Sequence, residues 1–84
     1  MADGHVNTFH LVVASVGDTK FDGAALSVTL PTTGGEVTIL PHHEPLVATL
    51  RPGKITVRES LGEKTFAIES GVLEVSGNRA VVLL

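Results

Sequence analysis

The sequence predicts an all-β protein: a flattened sandwich or barrel of about eight to ten short, mainly antiparallel strands. Three observations predict it. Val occurs 12 times, Thr 9 times and Ile 3 times in 84 residues, and side chains branched at Cβ sit best on a pleated surface. Turn signals recur roughly every 8–12 residues, at Val16-Gly17-Asp18, Asp22-Gly23, Thr33-Gly34-Gly35, Arg51-Pro52-Gly53, Ser60-Leu61-Gly62, Ser70-Gly71 and Gly77-Asn78. Between them apolar and polar residues alternate with a period of two, which sets one face of a strand on a core and the other in water.

Eight segments follow in order. Asn7 to Val16 carries Phe9, Leu11 and Val13 on one face and the mixed set Thr8, His10 and Val12 on the other, so this strand is expected to be covered in part on both sides. Ala25 to Leu30 sets Leu26, Val28 and Leu30 against Ser27 and Thr29. Glu36 to Leu40 and Leu46 to Leu50 flank a loop containing two prolines. Lys54 to Glu59 alternates Ile55 and Val57 with Lys54, Thr56 and Arg58. Lys64 to Glu69, Val72 to Ser76 and Arg79 to Leu84 complete the set. No stretch has the length and spacing of a helix, which needs roughly 10–12 residues, and no repeat or linker divides the chain. Residues 1–84 are expected to form a single domain.

Composition removes several function classes. Six Lys and Arg are scattered against nine Asp and Glu, for a net charge of −3. They build no basic stripe for phosphates, so nucleic acid is not an expected partner. There is no cysteine, hence no disulfide or thiolate chemistry, which fits a cytoplasmic location better than an extracellular one. The longest apolar run, Ala80 to Leu84, is far below the ~20 residues of a helical membrane span. Met1-Ala2-Asp3-Gly4-His5 lacks the basic and apolar regions of a signal peptide. Direct membrane insertion is not expected.

The densest group of ionisable side chains is Pro41-His42-His43-Glu44-Pro45, a stiff loop bounded by prolines. A metal site there needs further ligands from His5, His10 or Glu36, and adjacent histidines on an extended chain point in opposite directions. An exposed turn with polar tips is the plainer reading. The acids sit beside turns or on polar strand faces rather than as a facing pair. None of the five serines lies in a nucleophile elbow, and Gly34-Gly35 reads as a hairpin turn rather than a phosphate cradle. No catalytic residue, cofactor or metal is assigned. A binding or assembly module is favoured over a catalyst, with a free-standing ligand-binding β-sandwich as the alternative. The absence of Trp and Tyr counts against that alternative, because aromatic platforms usually supply stacking surfaces.

Longer motifs extend this reading. Phe9-His10-Leu11, Phe21-Asp22-Gly23, the run from Gly35 to Leu46, Leu50-Arg51-Pro52-Gly53, Ser70-Gly71 with Leu73-Glu74-Val75, and Val81-Val82-Leu83 together resemble the N-terminal β-sandwich domain of the epsilon subunit of the F-type ATP synthase, over residues 8–84. The resemblance implies a flattened ten-strand sandwich at the foot of a rotary stalk. It also implies a non-catalytic rotor subunit that docks on the gamma subunit and the c-ring and couples ion-driven rotation to ATP synthesis. Such a subunit lies peripherally on the cytoplasmic face of an energy-transducing membrane, bacterial by expectation. By family position Glu36 and His43 lie toward ring and stalk, Pro41, His42, Glu44, Pro45 and Leu46 belong to the same loop, and Ser15 lies on a gamma-facing strand. Apolar Ile39, Leu40 and Leu46 are expected to bury against gamma, with Glu36, His43 and Glu44 as a polar rim, and ordinary core is the alternative for Ile39 and Leu46.

The chain departs from the family pattern at Thr38, His42 and Glu44, where Gly, Gly and Ala are usual, and at Ser70-Gly71, one residue shorter than the usual double glycine. The sequence stops at Leu84, where many members continue into a two-helix C-terminal domain, so no inhibitory helical domain is expected here.

Overall fold

The computed structural model describes residues 7–84 of the chain. The N-terminal peptide and His5, raised above as a metal ligand, lie outside these residues. Nine strands and no helix are found among them: β1 (Phe9–Ser15), β2 (Asp18–Ala25), β3 (Ser27–Thr32), β4 (Gly35–Ile39), β5 (Leu46–Leu50), β6 (Gly53–Glu59), β7 (Gly62–Ile68), β8 (Gly71–Val75) and β9 (Arg79–Leu83). The all-β expectation holds, with nine described strands where the resemblance implied ten. One sequence-based turn is corrected. Asp22-Gly23 lies inside β2, opposite Val12 and Leu11, because pairing along the whole of β1 outweighs the local turn preference of Asp-Gly.

The strands form one continuous sheet in the order β2-β1-β9-β8-β5-β3-β6-β7, with β4 on the free edge of β3. All pairings are antiparallel except β1 with β9, where Leu11 aligns with Ala80 and Val13 with Val82. The sheet folds over at β5. Leu50 pairs with Thr32, the Arg51 N–H donates to the Pro31 carbonyl at 3.0 Å, and β6 then continues along the start of β3. Thus β2-β1-β9-β8-β5 makes one layer and β4-β3-β6-β7 the other. The two ends of the strand path also approach each other, since the Lys64 ammonium of β7 sits 5.4 Å from the ring of Phe21 on β2, within cation–π range.

The core lies between the layers. Leu11, Val13, Val28, Leu30, Ile55, Val57, Leu73 and Val82 have no exposed surface, each worth roughly 1.5–3 kcal/mol relative to an exposed position. They come from alternate positions of their strands; the period-two reading located Leu11, Val13, Val28, Leu30, Ile55 and Val57, whereas Ser27, expected on the wet face, is buried at the start of β3 and Leu26, expected in the core, is half-buried in the bend before it. Ile39 is 1% exposed and pairs with Val28; Leu46 is half-buried and packs on the same core. Of the three loop-flanking apolar residues offered for a partner surface, only Leu40, at 56% exposure, is free for that use. Strand alternation turns Ile39 and Leu46 inward.

Candidate functional site

The loop between β4 and β5 begins with a tight turn. The His43 N–H donates to the Leu40 carbonyl at 3.2 Å, Pro41 occupies the second position, and His42 the third with φ +63°. This is the pattern of a type II turn, whose third residue is ordinarily Gly or Asn. The departure at His42 therefore has a physical cost: a left-handed φ disfavours a non-glycine residue by roughly 1–2 kcal/mol.

That conformation is held from outside the loop. The His42 N–H donates to Asn78 Oδ1 at 2.7 Å, and Asn78 Nδ2 donates to the Thr8 carbonyl at 3.0 Å. Asn78 follows Gly77 in the β8–β9 turn, where φ is +57° at Gly77 and +58° at Asn78. Ser76 and Arg79 exchange N–H to carbonyl bonds of 2.9 and 3.1 Å across them. Two central residues with positive φ define a type I′ hairpin, and Asn accepts that conformation better than most side chains. One amide thus ties the loop, the hairpin and the entry to β1 together. Sequence reading marked Gly77-Asn78 as a turn but gave no signal that its side chain reaches His42.

Within the loop, His43 Nδ1 lies 2.7 Å from the Glu44 carbonyl. A carbonyl only accepts, so Nδ1 carries the proton and a neutral His43 presents Nε2 as an acceptor. Among the described residues no group of three His, Cys, Asp or Glu is placed to hold a metal ion. His10 instead meets Asp22, Nε2 to Oδ1 at 2.6 Å.

The other predicted residues are distributed over the domain. Glu36 is exposed opposite Pro31, beside the Thr33-Gly34 turn, and the length of β4 separates it from His43. Ser15, half-buried at the far end of β1, lies at the opposite end of its layer from the loop. Pro41 is half-buried, and Glu44 and Pro45 are exposed. An open depression beside the clamp is bordered by Thr8, Phe9, His10, Gly23 and Asn78, with Phe9 buried beneath it.

A surface not singled out in the sequence lies on the outside of the first layer. In register across four strands stand Val47, Glu74, Val81 and Val12, and beside them Thr49, Val72, Leu83 and Ala14. Val47 is 71% exposed, Leu83 59% and Val72 44%. At about 4.8 Å between strands the four strands span roughly 15 Å, and their outer side forms a largely apolar surface interrupted by the exposed Glu74 and Thr49. Val81-Val82-Leu83 sets apolar residues on both faces of β9, but the inward set alone already accounts for a strand, so the outward set carries no separate signal in the sequence.

These features define a small β-sandwich domain, with an apolar sheet face and a clamped proline loop. Comparison with known proteins places it further. Residues 8–84 match the family model described as ATP synthase, Delta/Epsilon chain, beta-sandwich domain, and the chain belongs to that family. It is 38% identical over 79 residues to the ATP synthase epsilon chain of Polaromonas naphthalenivorans, covering 93% of this chain and 57% of the relative. Against the ATP synthase epsilon chain of Bordetella avium it is 40% identical over 77 residues, 90% of this chain and 55% of the relative. The chain thus spans a little over half the length of these curated relatives. Among solved structures, a chain of the Euglena gracilis mitochondrial ATP synthase superposes with a TM-score of 0.85 at 22% identity, over 99% of this chain and 54% of that one. A chain from the central stalk and c-ring of the Tetrahymena thermophila mitochondrial ATP synthase gives 0.74 at 17% identity, over 88% and 60%. At such identities these two show the fold alone.

Proposed function

We propose that this chain is a non-catalytic central-stalk subunit of a proton-translocating F-type ATP synthase, binding the gamma subunit and the c-ring so that ion-driven rotation stays coupled to ATP synthesis. The observation that carries the reading is the exposed apolar face of β5, β8, β9 and β1, which gives a family member of this kind a surface to dock on gamma. An apolar centre with a polar edge is the usual anatomy of such an interface. Residues 1–84 act in this reading as one docking domain, held peripherally at the cytoplasmic face of a bacterial membrane.

The loop supplies a second contact. Leu40, His43 and Glu44 face outward there, Pro41 and Pro45 stiffen it, and His42 fastens it through Asn78; Leu46 anchors its end in the core. A loop already ordered before docking loses less conformational entropy on binding, which suits a joint that transmits torque. Glu36, on the other layer, is assigned to the ring side, and Ser15 to the gamma side. The test is calorimetric titration of the 84-residue chain with the gamma subunit of the same source, checked by co-elution. One-to-one binding is expected. No binding between two demonstrably folded partners would refute the reading.

A further inference from the structure

We infer that Glu74 selects the partner at the apolar face, and that the surface docking there carries a lysine or arginine aimed at it. The inference rests on the reading that the gamma subunit occupies this face. Glu74 stands in register between Val47 and Val81, with Val72 two residues before it on its own strand. The other acid in that row, Asp22, opposite Val12, is already engaged by His10 at 2.6 Å. Asp18, Glu59 and Glu63 also face cations, namely Lys20, Lys64 and Arg58. Among the described residues Glu74 makes no ion pair, even with Arg79, its diagonal neighbour across β8 and β9 on the same face; Glu36, Glu44 and Glu69 are unpaired as well, but of these four acids only Glu74 stands among the exposed valines.

Docking an apolar surface on the valines would strip water from this carboxylate. A carboxylate dried without a counter-charge is strongly disfavoured, whereas one that meets a hydrogen-bonded cation is tolerated or favourable. The face therefore rejects a purely apolar partner, and more strongly an acidic one. Charge placed in this way sets specificity and association rate.

The experiment titrates gamma with the wild-type chain and with Glu74→Gln, Glu74→Lys and Leu83→Asp, at low and high salt, after circular dichroism shows each variant folded. Glu74→Gln is expected to weaken binding about 30-fold, the scale for truncating one member of a desolvated charge pair. It should also flatten the salt dependence, and Glu74→Lys should weaken binding further. If Leu83→Asp weakens binding while Glu74→Gln leaves affinity and salt dependence unchanged, the role of Glu74 is overturned and gamma still docks on this face. If gamma binds and neither Leu83→Asp nor Glu74→Gln changes affinity, the face is not the interface and the inference falls with it. Absence of binding by the wild-type chain overturns both this inference and the proposed function.

Discussion

Replacing Asn78 by Ala should destabilise the domain by about 2–3 kcal/mol and release the β4–β5 loop. The substitution removes two hydrogen bonds, from the His42 N–H at 2.7 Å and to the Thr8 carbonyl at 3.0 Å. At a net value of about 1 kcal/mol each, with some reduction for the exposed one, they contribute most of the effect. The remainder is conformational: Asn78 has φ +58°, and alanine tolerates that region less well by roughly 1 kcal/mol. Urea unfolding measures the total. The midpoint should fall with an unchanged slope, and the melting temperature should drop by about 8–24 °C, at 4–8 °C per kcal/mol for a domain of this size. Two further variants divide the effect. Asn78→Gly keeps the backbone conformation and loses only the bonds; Asn78→Asp keeps the acceptor for His42 and places a charge against the Thr8 carbonyl. Amide exchange supplies the local readout, since the His42 N–H should lose protection in Ala and Gly and retain it in Asp. An Asn78→Ala midpoint shift equivalent to less than 0.5 kcal/mol, with His42 still protected, would show that the clamp does not hold the loop.

Three further outcomes are expected. A Cβ on Gly71, where φ is +155°, would lie 2.8 Å from the backbone oxygen of Leu83, so Gly71→Ala should cost about 2–3 kcal/mol by overpacking and backbone strain; a midpoint equal to wild type would show that the β8–β9 contact yields freely. Leu73, fully buried between Ala48 and Val82, should lose about 2–5 kcal/mol on truncation to Ala, read from chemical unfolding. Glu36→Ala with His43→Ala should leave stability within about 0.5 kcal/mol and lower ATP-driven proton pumping in the assembled enzyme; full pumping would remove both from the coupling surface.

Much of the fold was legible because its signals are local. The inward sets Leu11 and Val13, Val28 and Leu30, Ile55 and Val57 each lie two residues apart, and no partner is needed to see that they share a face. The strand without such a pattern, β2, contains Lys20, Asp22, Gly23 and Ala24 with Phe21 and Ala25 as its only buried residues. An edge strand half in water has little apolar pattern to show. The family motifs marked the loop from Pro41 to Leu46, and its prolines marked its stiffness, but Leu40, Ile39 and Leu46 could not be sorted into surface and core until the ends of β4 and β5 were fixed.

The sequence by itself determined that this chain is all-β, where eight of its nine described strands begin and end to within a few residues, and that no basic stripe or thiol chemistry is available to it. Tertiary structure alone decided the parallel pairing of β1 with β9, the clamp from Asn78 to His42 and Thr8, and the assembly of Val12, Val47, Val72, Val81 and Leu83 into one face. The physical reason is separation along the chain. Asn78 reaches across 36 residues to His42 and 70 to Thr8, and the apolar face draws on four strands, so no short window of sequence contains either; both exist only once the sheet has closed around its core.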